Sequence, residues 1–98
     1  MAEEKQVEKS VEVDLKKLRG QAKDGVLKAQ YLLAVKLASG DGVEADLMES
    51  EKWYHEAAKR GFAPAMNNLA LLHAGEALGV PNPKQAVKWF RKAADLGY

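Results

Sequence analysis

The sequence predicts an all-α fold, an α-α superhelix: a right-handed helical-repeat solenoid of antiparallel helix pairs, with about five helices. Three observations carry that expectation. The segment Trp53-Tyr-His-Glu-Ala-Ala-Lys-Arg-Gly-Phe62 returns as Trp89-Phe-Arg-Lys-Ala-Ala-Asp-Leu-Gly-Tyr98, an offset of 36 residues. At the same offset Ser10, Asp46 and Asn82 carry side chains suited to open a helix, and Gly25, Gly61 and Gly97 stand where one would close. Between these signals, apolar positions such as Ala29, Leu33 and Leu37 follow the 3.6-residue period of a half-buried helix.

Taken in order, the first element spans Ser10–Asp24. Leu18, Ala22 and Gly25 repeat forward as Tyr54, Ala58 and Gly61, but Lys17 and Gln21 occupy the phases of Trp53 and Ala57. Polar residues at two core phases are the mark of a terminal capping unit, whose outer face meets water. A helix of a second type, here called A, follows from about Lys28 to Ser39. The turn Gly40–Ala45 presents Val43 inward. The next helix of the first type, B, runs Asp46–Arg60, with Asp46 and Glu49 in capping-box spacing. A second A helix from about Pro64 to Gly75, a turn through Pro81 presenting Val80, and a B helix over Asn82–Leu96 complete the chain. Asn82, Pro83 and Gln85 repeat the capping signal, with proline at the first helical position. The organisation expected is a capping helix over 1–27, a repeat over 28–63 and a repeat over 64–98.

The whole chain has 98 residues, 47% of them hydrophobic, which supports one small core of modest net stability, about 5–10 kcal/mol. Fifteen Lys and Arg against fourteen Asp and Glu leave a formal charge of +1, so no global field draws nucleic acid or an anionic membrane. Without cysteine there is no disulfide, thiolate metal site or thiol nucleophile. Met1–Ser10 lacks the apolar run of a signal peptide, and no stretch approaches the length of a membrane-spanning helix. A cytoplasmic location is expected, with a periplasmic or secreted one left open for a processed fragment.

Chemical motifs weigh little. Gly40-x-Gly42-x-x-Ala45 matches a dinucleotide fingerprint in letters, but that motif needs a preceding strand, and here a helix precedes it. His55 and His73 have no nucleophile or second ligand at helical spacing. His55 is expected to face solvent beside the aromatic pair and His73 to be partly buried. No catalytic residue, cofactor or metal site is expected. Trp53-Tyr54 and Trp89-Phe90 could stack bases, but their recurrence beside Ala-Ala suits packing better.

The order Ala-x-x-x-Leu-Ala, Gly-x-Gly-Val, Asp and Trp-Tyr-x-x-Ala-Ala-x-x-Gly, clearest over Ala29–Gly61, resembles the Sel-one-like repeat, a relative of the tetratricopeptide repeat with a longer inter-helix loop. The resemblance covers Ser10 to Tyr98. It departs where Ala34 and Ala70 stand for the family's usual Gly, and Leu37 and His73 for its Tyr. The resemblance implies a non-catalytic adaptor that binds a protein or peptide on its concave A-helix surface. The positions it implies are Lys28, Tyr31, Val35, Asn67 and Leu71. Tyr31 would be a flat amphipathic anchor, Val35 and Leu71 an apolar strip, Asn67 a backbone-reading amide and Lys28 a charge. Burial of Val35 and Leu71 against a neighbouring helix is the other reading of that strip.

RNA binding and a self-associating scaffold are the alternative functions. The balanced charge disfavours the first, because phosphate contacts need clustered Lys and Arg. The second draws on the C-terminal end, where Leu96 replaces Arg60 and the final B helix would lack a covering A helix. A two-fold dimer through that end is the form of self-association expected. Two further expectations concern stability. Trp53, with repeat helices on both sides, should matter more than Trp89, and Tyr31→Ala and Asn67→Ala should leave melting nearly unchanged.

Overall fold

The computed structural model describes residues 14–98, and among them all regular structure is α-helical. Helix α1 occupies residues 14–23, α2 Leu27–Ser39, α3 Leu47–Lys59, α4 Ala63–Ala74 and α5 Pro83–Asp95. The Ser10 cap expected for the first helix lies outside the described residues. In sequence order each helix packs on the next, with α2 on α3, α3 on α4 and α4 on α5.

Helices α3 and α5 start as their sequences dictate. The Asp46 carboxylate accepts the Glu49 N–H at 3.0 Å, and Asn82 Oδ1 accepts the Gln85 N–H at 3.2 Å. Each cap is also anchored to the helix before it: Asp46 N–H donates to the Leu37 carbonyl at 2.9 Å, and Asn82 N–H to the His73 carbonyl at 2.7 Å. Only half of the expected capping box forms. The Glu49 carboxylate does not return to Asp46, whose N–H is already engaged, but accepts the Trp53 indole N–H at 3.0 Å and pairs with Arg19.

The turns from B to A helices need a left-handed residue, and Gly25 and Gly61 supply it at φ +88° and +87°. After α3 the Gly61 N–H reaches the Ala58 carbonyl and the Phe62 N–H the Ala57 carbonyl, so the chain reverses with its last carbonyls satisfied. Of the two A-to-B turns only the first packs as expected. Val43 lies against the core, whereas Val80 is 83% exposed. The second turn has one more residue before its valine, and its half-buried apolar residue is Leu78.

Among the described residues two apolar clusters form the interior. Ala22, Ala29, Leu33 and Leu37 pack with Leu15, Leu18 and Val43, joining α1 to α2. The larger cluster runs from Ala34 through Tyr54, Ala57, Ala58, Ala65, Met66, Leu69 and Ala70 to Trp89 and Ala93. Lys17 and Gln21 are exposed. Polar links also tie helices to one another within and between units. Buried Ser50 donates its hydroxyl to the Ala34 carbonyl at 2.7 Å, and Arg60 Nη1 donates to the Gly25 carbonyl at 2.6 Å.

The tryptophans reverse the expected order of burial. Trp89 is 4% exposed, whereas Trp53 is half-buried, touching both clusters. The cause lies in what covers each ring. His55 stands edge-on to Trp89 at 5.6 Å, and the Lys92 and Lys88 ammonium groups lie 4.8 and 5.3 Å from its centroid. At the corresponding places around Trp53 stand Arg19, drawn to Glu49, and Glu56, whose carboxylate has no attraction to a ring face.

Candidate functional site

The A-helix positions singled out by the resemblance fall at matching phases, Tyr31 with Asn67 and Val35 with Leu71. Their environments differ. Lys28 is exposed, Leu71 is 55% exposed, and Asn67 is half-buried. Val35 packs against the larger cluster, so its side chain belongs partly to the core.

Tyr31 is also held there. Its ring meets Phe62 at 5.0 Å in an edge-to-face contact and Tyr54 at 6.0 Å, placing it where α2, α3 and the start of α4 converge. This alters the expected effect of Tyr31→Ala: loss of an aromatic pinned by two others should lower stability, so melting should not stay unchanged. Asn67 has no such contact and retains the expectation of little effect.

The polar centre of this face is Asn68, which sequence reasoning passed over. Its Nδ2 donates to Tyr31 Oη at 3.2 Å and to Tyr54 Oη at 3.4 Å, linking phenols from two helices. The signal available was weak. Asn68 stands at the phase of Leu32, so an amide replaces an apolar residue between repeats, but a single chain does not reveal its partners.

Burial pushes the Tyr54 phenol up to about 12; the neighbouring Tyr31 phenol adds to the rise and the Asn68 hydrogen bond opposes it. The folded state therefore favours the neutral phenol. That preference contributes its full stabilisation below the unfolded value near 10, and loses it as pH rises through about 12. Relative to Tyr54→Phe, the protein should lose about 1–2 kcal/mol across this window, less than the full shift because the hydroxyl retains polar neighbours. Denaturant titrations at pH 9 and in the alkaline range check this, and parallel profiles for the two proteins would refute it.

His55 is exposed against Trp89, and His73, largely buried, points Nε2 toward Glu51 at 3.8 Å. Among the described residues no cluster of His, Asp and Glu could hold a metal ion. None of the described helices is long and apolar enough to cross a membrane.

Stacked helix pairs with matching phases define the class as an all-α helical-repeat protein. The Sel1 repeat model matches residues 27–62 and 63–98, and the chain belongs to the Sel1 repeat family. Repeats of this family generally serve as protein-interaction modules on a non-catalytic scaffold. Solved structures are similar in sequence as well as fold. One is the crystal structure of c5321, described as a protective antigen present in uropathogenic Escherichia coli strains displaying an SLR fold. The two share 35% identity with a TM-score of 0.76, over 83% of this chain and 17% of that one. Another, a Sel1 repeat protein from Oxalobacter formigenes, is 38% identical with a TM-score of 0.68, over 74% of this chain and 30% of that one. The chain thus spans less than a third of the length of either. No curated protein matches it.

Proposed function

We propose that this chain is a non-catalytic adaptor that holds an extended segment of a partner protein along its A-helix face. The observation that carries this reading is the pairing of exposed Leu71 with the Asn68–Tyr31 hydrogen-bonded centre on neighbouring helices. Leu71 and the Tyr31 ring edge supply apolar contact. Asn67 and the phenolic hydrogen of Tyr31 can meet backbone carbonyls of an extended chain, and Lys28 adds a charge at the rim.

Asn67→Ala with Leu71→Ala should weaken partner capture about tenfold or more while leaving helicity and melting almost unchanged, since neither side chain is fully buried. Tyr31→Phe removes the phenolic hydroxyl while keeping the ring. Capture from the source cell, compared between the parent and the double variant, is the test. Equal recovery by the two would reject the face.

A second reading, self-association through the C-terminal end, is favoured by the exposed apolar residues there. Tyr98 is 63% and Phe90 36% exposed, while their repeat counterparts Phe62 and Tyr54 are covered, and Leu96, at the position of exposed Arg60, is 58% exposed. Sedimentation of the parent and Leu96→Lys at several concentrations separates the readings, and a concentration-independent monomer in both removes self-association.

A further inference from the structure

Two open grooves separate successive B helices, and they are the same feature one repeat apart. The first, between α1 and α3, is lined by Lys23, Gln30, Lys52, Trp53 and Glu56 among others; the second, between α3 and α5, by Lys59, Met66, Lys88, Trp89 and Lys92 at the matching positions. Their charge is not the same. Around the first groove Asp46, Glu49, Glu51 and Glu56 offset the cations, and Arg19 is tied to Glu49. In the second, of about 510 Å³, no carboxylate lines the wall; Glu56 reaches Lys59 only from the rim, at 3.0 Å.

The floor of the second groove has changed in the same direction. Met66 replaces Gln30, and with Ala58 and the Trp89 ring it gives an apolar base beneath three ammonium groups. Lys88 and Lys92 rest on the Trp89 ring and have no carboxylate partner among the described residues. A lysine held on an indole keeps its stem against the ring while its ammonium can still receive an anion.

We propose that this groove is a second protein-docking site, which takes a short acidic segment carrying at least one apolar side chain. The carboxylates would lie between Lys59, Lys88 and Lys92, with the apolar group on Met66 and Trp89. Charge complementarity selects the occupant, because the repeat pattern supplies the groove while this copy alone lacks lining acids. The small extent of the groove favours a short segment over a nucleic acid: a phosphate chain running past it would meet Glu56, whose carboxylate lies 3.0 Å from the Lys59 ammonium. Neither Asn67 nor Leu71 lines the groove, so the site is separate from the A-helix face.

The two tryptophans make the test direct. In Trp53→Phe, emission reports Trp89 alone. Titration with a short peptide of alternating Glu and Leu should change that emission saturably, and binding should weaken on passing from low to physiological salt. Adding Lys88→Gln with Lys92→Gln should weaken it about tenfold or more, and Asn67→Ala with Leu71→Ala should leave it unchanged. Should the double glutamine variant melt earlier than its parent, Lys59→Gln, an exposed position, must show the loss instead. The proposal is overturned by an unresponsive Trp89, by equal affinity in the lysine variants, or by tighter binding of a Lys/Leu peptide or a single-stranded oligonucleotide.

Discussion

Trp89→Ala is expected to destabilise the protein by about 3–5 kcal/mol, and Trp53→Ala by about 2–3 kcal/mol. Trp89 buries nearly its whole surface, and its removal empties the contact between α5 and the larger cluster. Trp53 loses less apolar burial, although its truncation also frees Glu49 from the indole N–H at 3.0 Å. For a domain of this size the larger loss approaches half or more of a total near 5–10 kcal/mol, so Trp89→Ala should be partly unfolded at body temperature. In an array where each unit leans on its neighbours, that unfolding should start in α5. Denaturant midpoints measured with unchanged slopes check the order. A larger shift for Trp53→Ala would restore the order that the phase of the repeats alone implies.

Why phase misleads here shows what the sequence could carry. The offset of 36 residues, the caps Asp46 and Asn82 and the closing Gly25 and Gly61 are local or periodic signals, and the helices they imply stand within a residue or two of those expected. Burial of a given ring depends on which side chains from other helices reach it. Lys92 in place of Glu56, and His55 in place of Arg19, decide the case for Trp89, and neither is a repeat-defining position. The same limit applies to the A-helix face. Tyr31 and Asn67 share a phase, but Tyr31 meets Phe62 and Tyr54, whereas the rings at the matching positions one repeat on, Tyr98 and Phe90, stand exposed. The Asn68 bridge and the unequal grooves arise from residues 14 to 37 positions apart, beyond the reach of any pattern within one helix.

Leu69→Ala should cost about 3–5 kcal/mol, and more than Leu33→Ala, although the two leucines hold the same phase and both are fully buried. The transfer term is alike for both, so the difference must come from the cavity each leaves. Leu69 sits in the larger cluster with Ala34, Ala57, Ala58, Ala65, Ala70 and Ala93. Alanine has no side-chain torsion by which to move into a void, so the space could close only by shifting helix backbones against one another. Met66 is the flexible member of that cluster, and its thioether can fill part of the gap. Leu33 has Leu37, Leu15 and Leu18 around it, side chains able to change rotamer and move into the space. Its truncation should therefore fall toward about 2–3 kcal/mol. Paired urea titrations of the two variants measure the difference, and xenon or benzene stabilising Leu69→Ala but not Leu33→Ala would identify its source as a persistent cavity. Equal midpoint shifts, with neither variant responding to the apolar ligand, would show that the alanine-rich cluster relaxes as readily as the leucine-rich one.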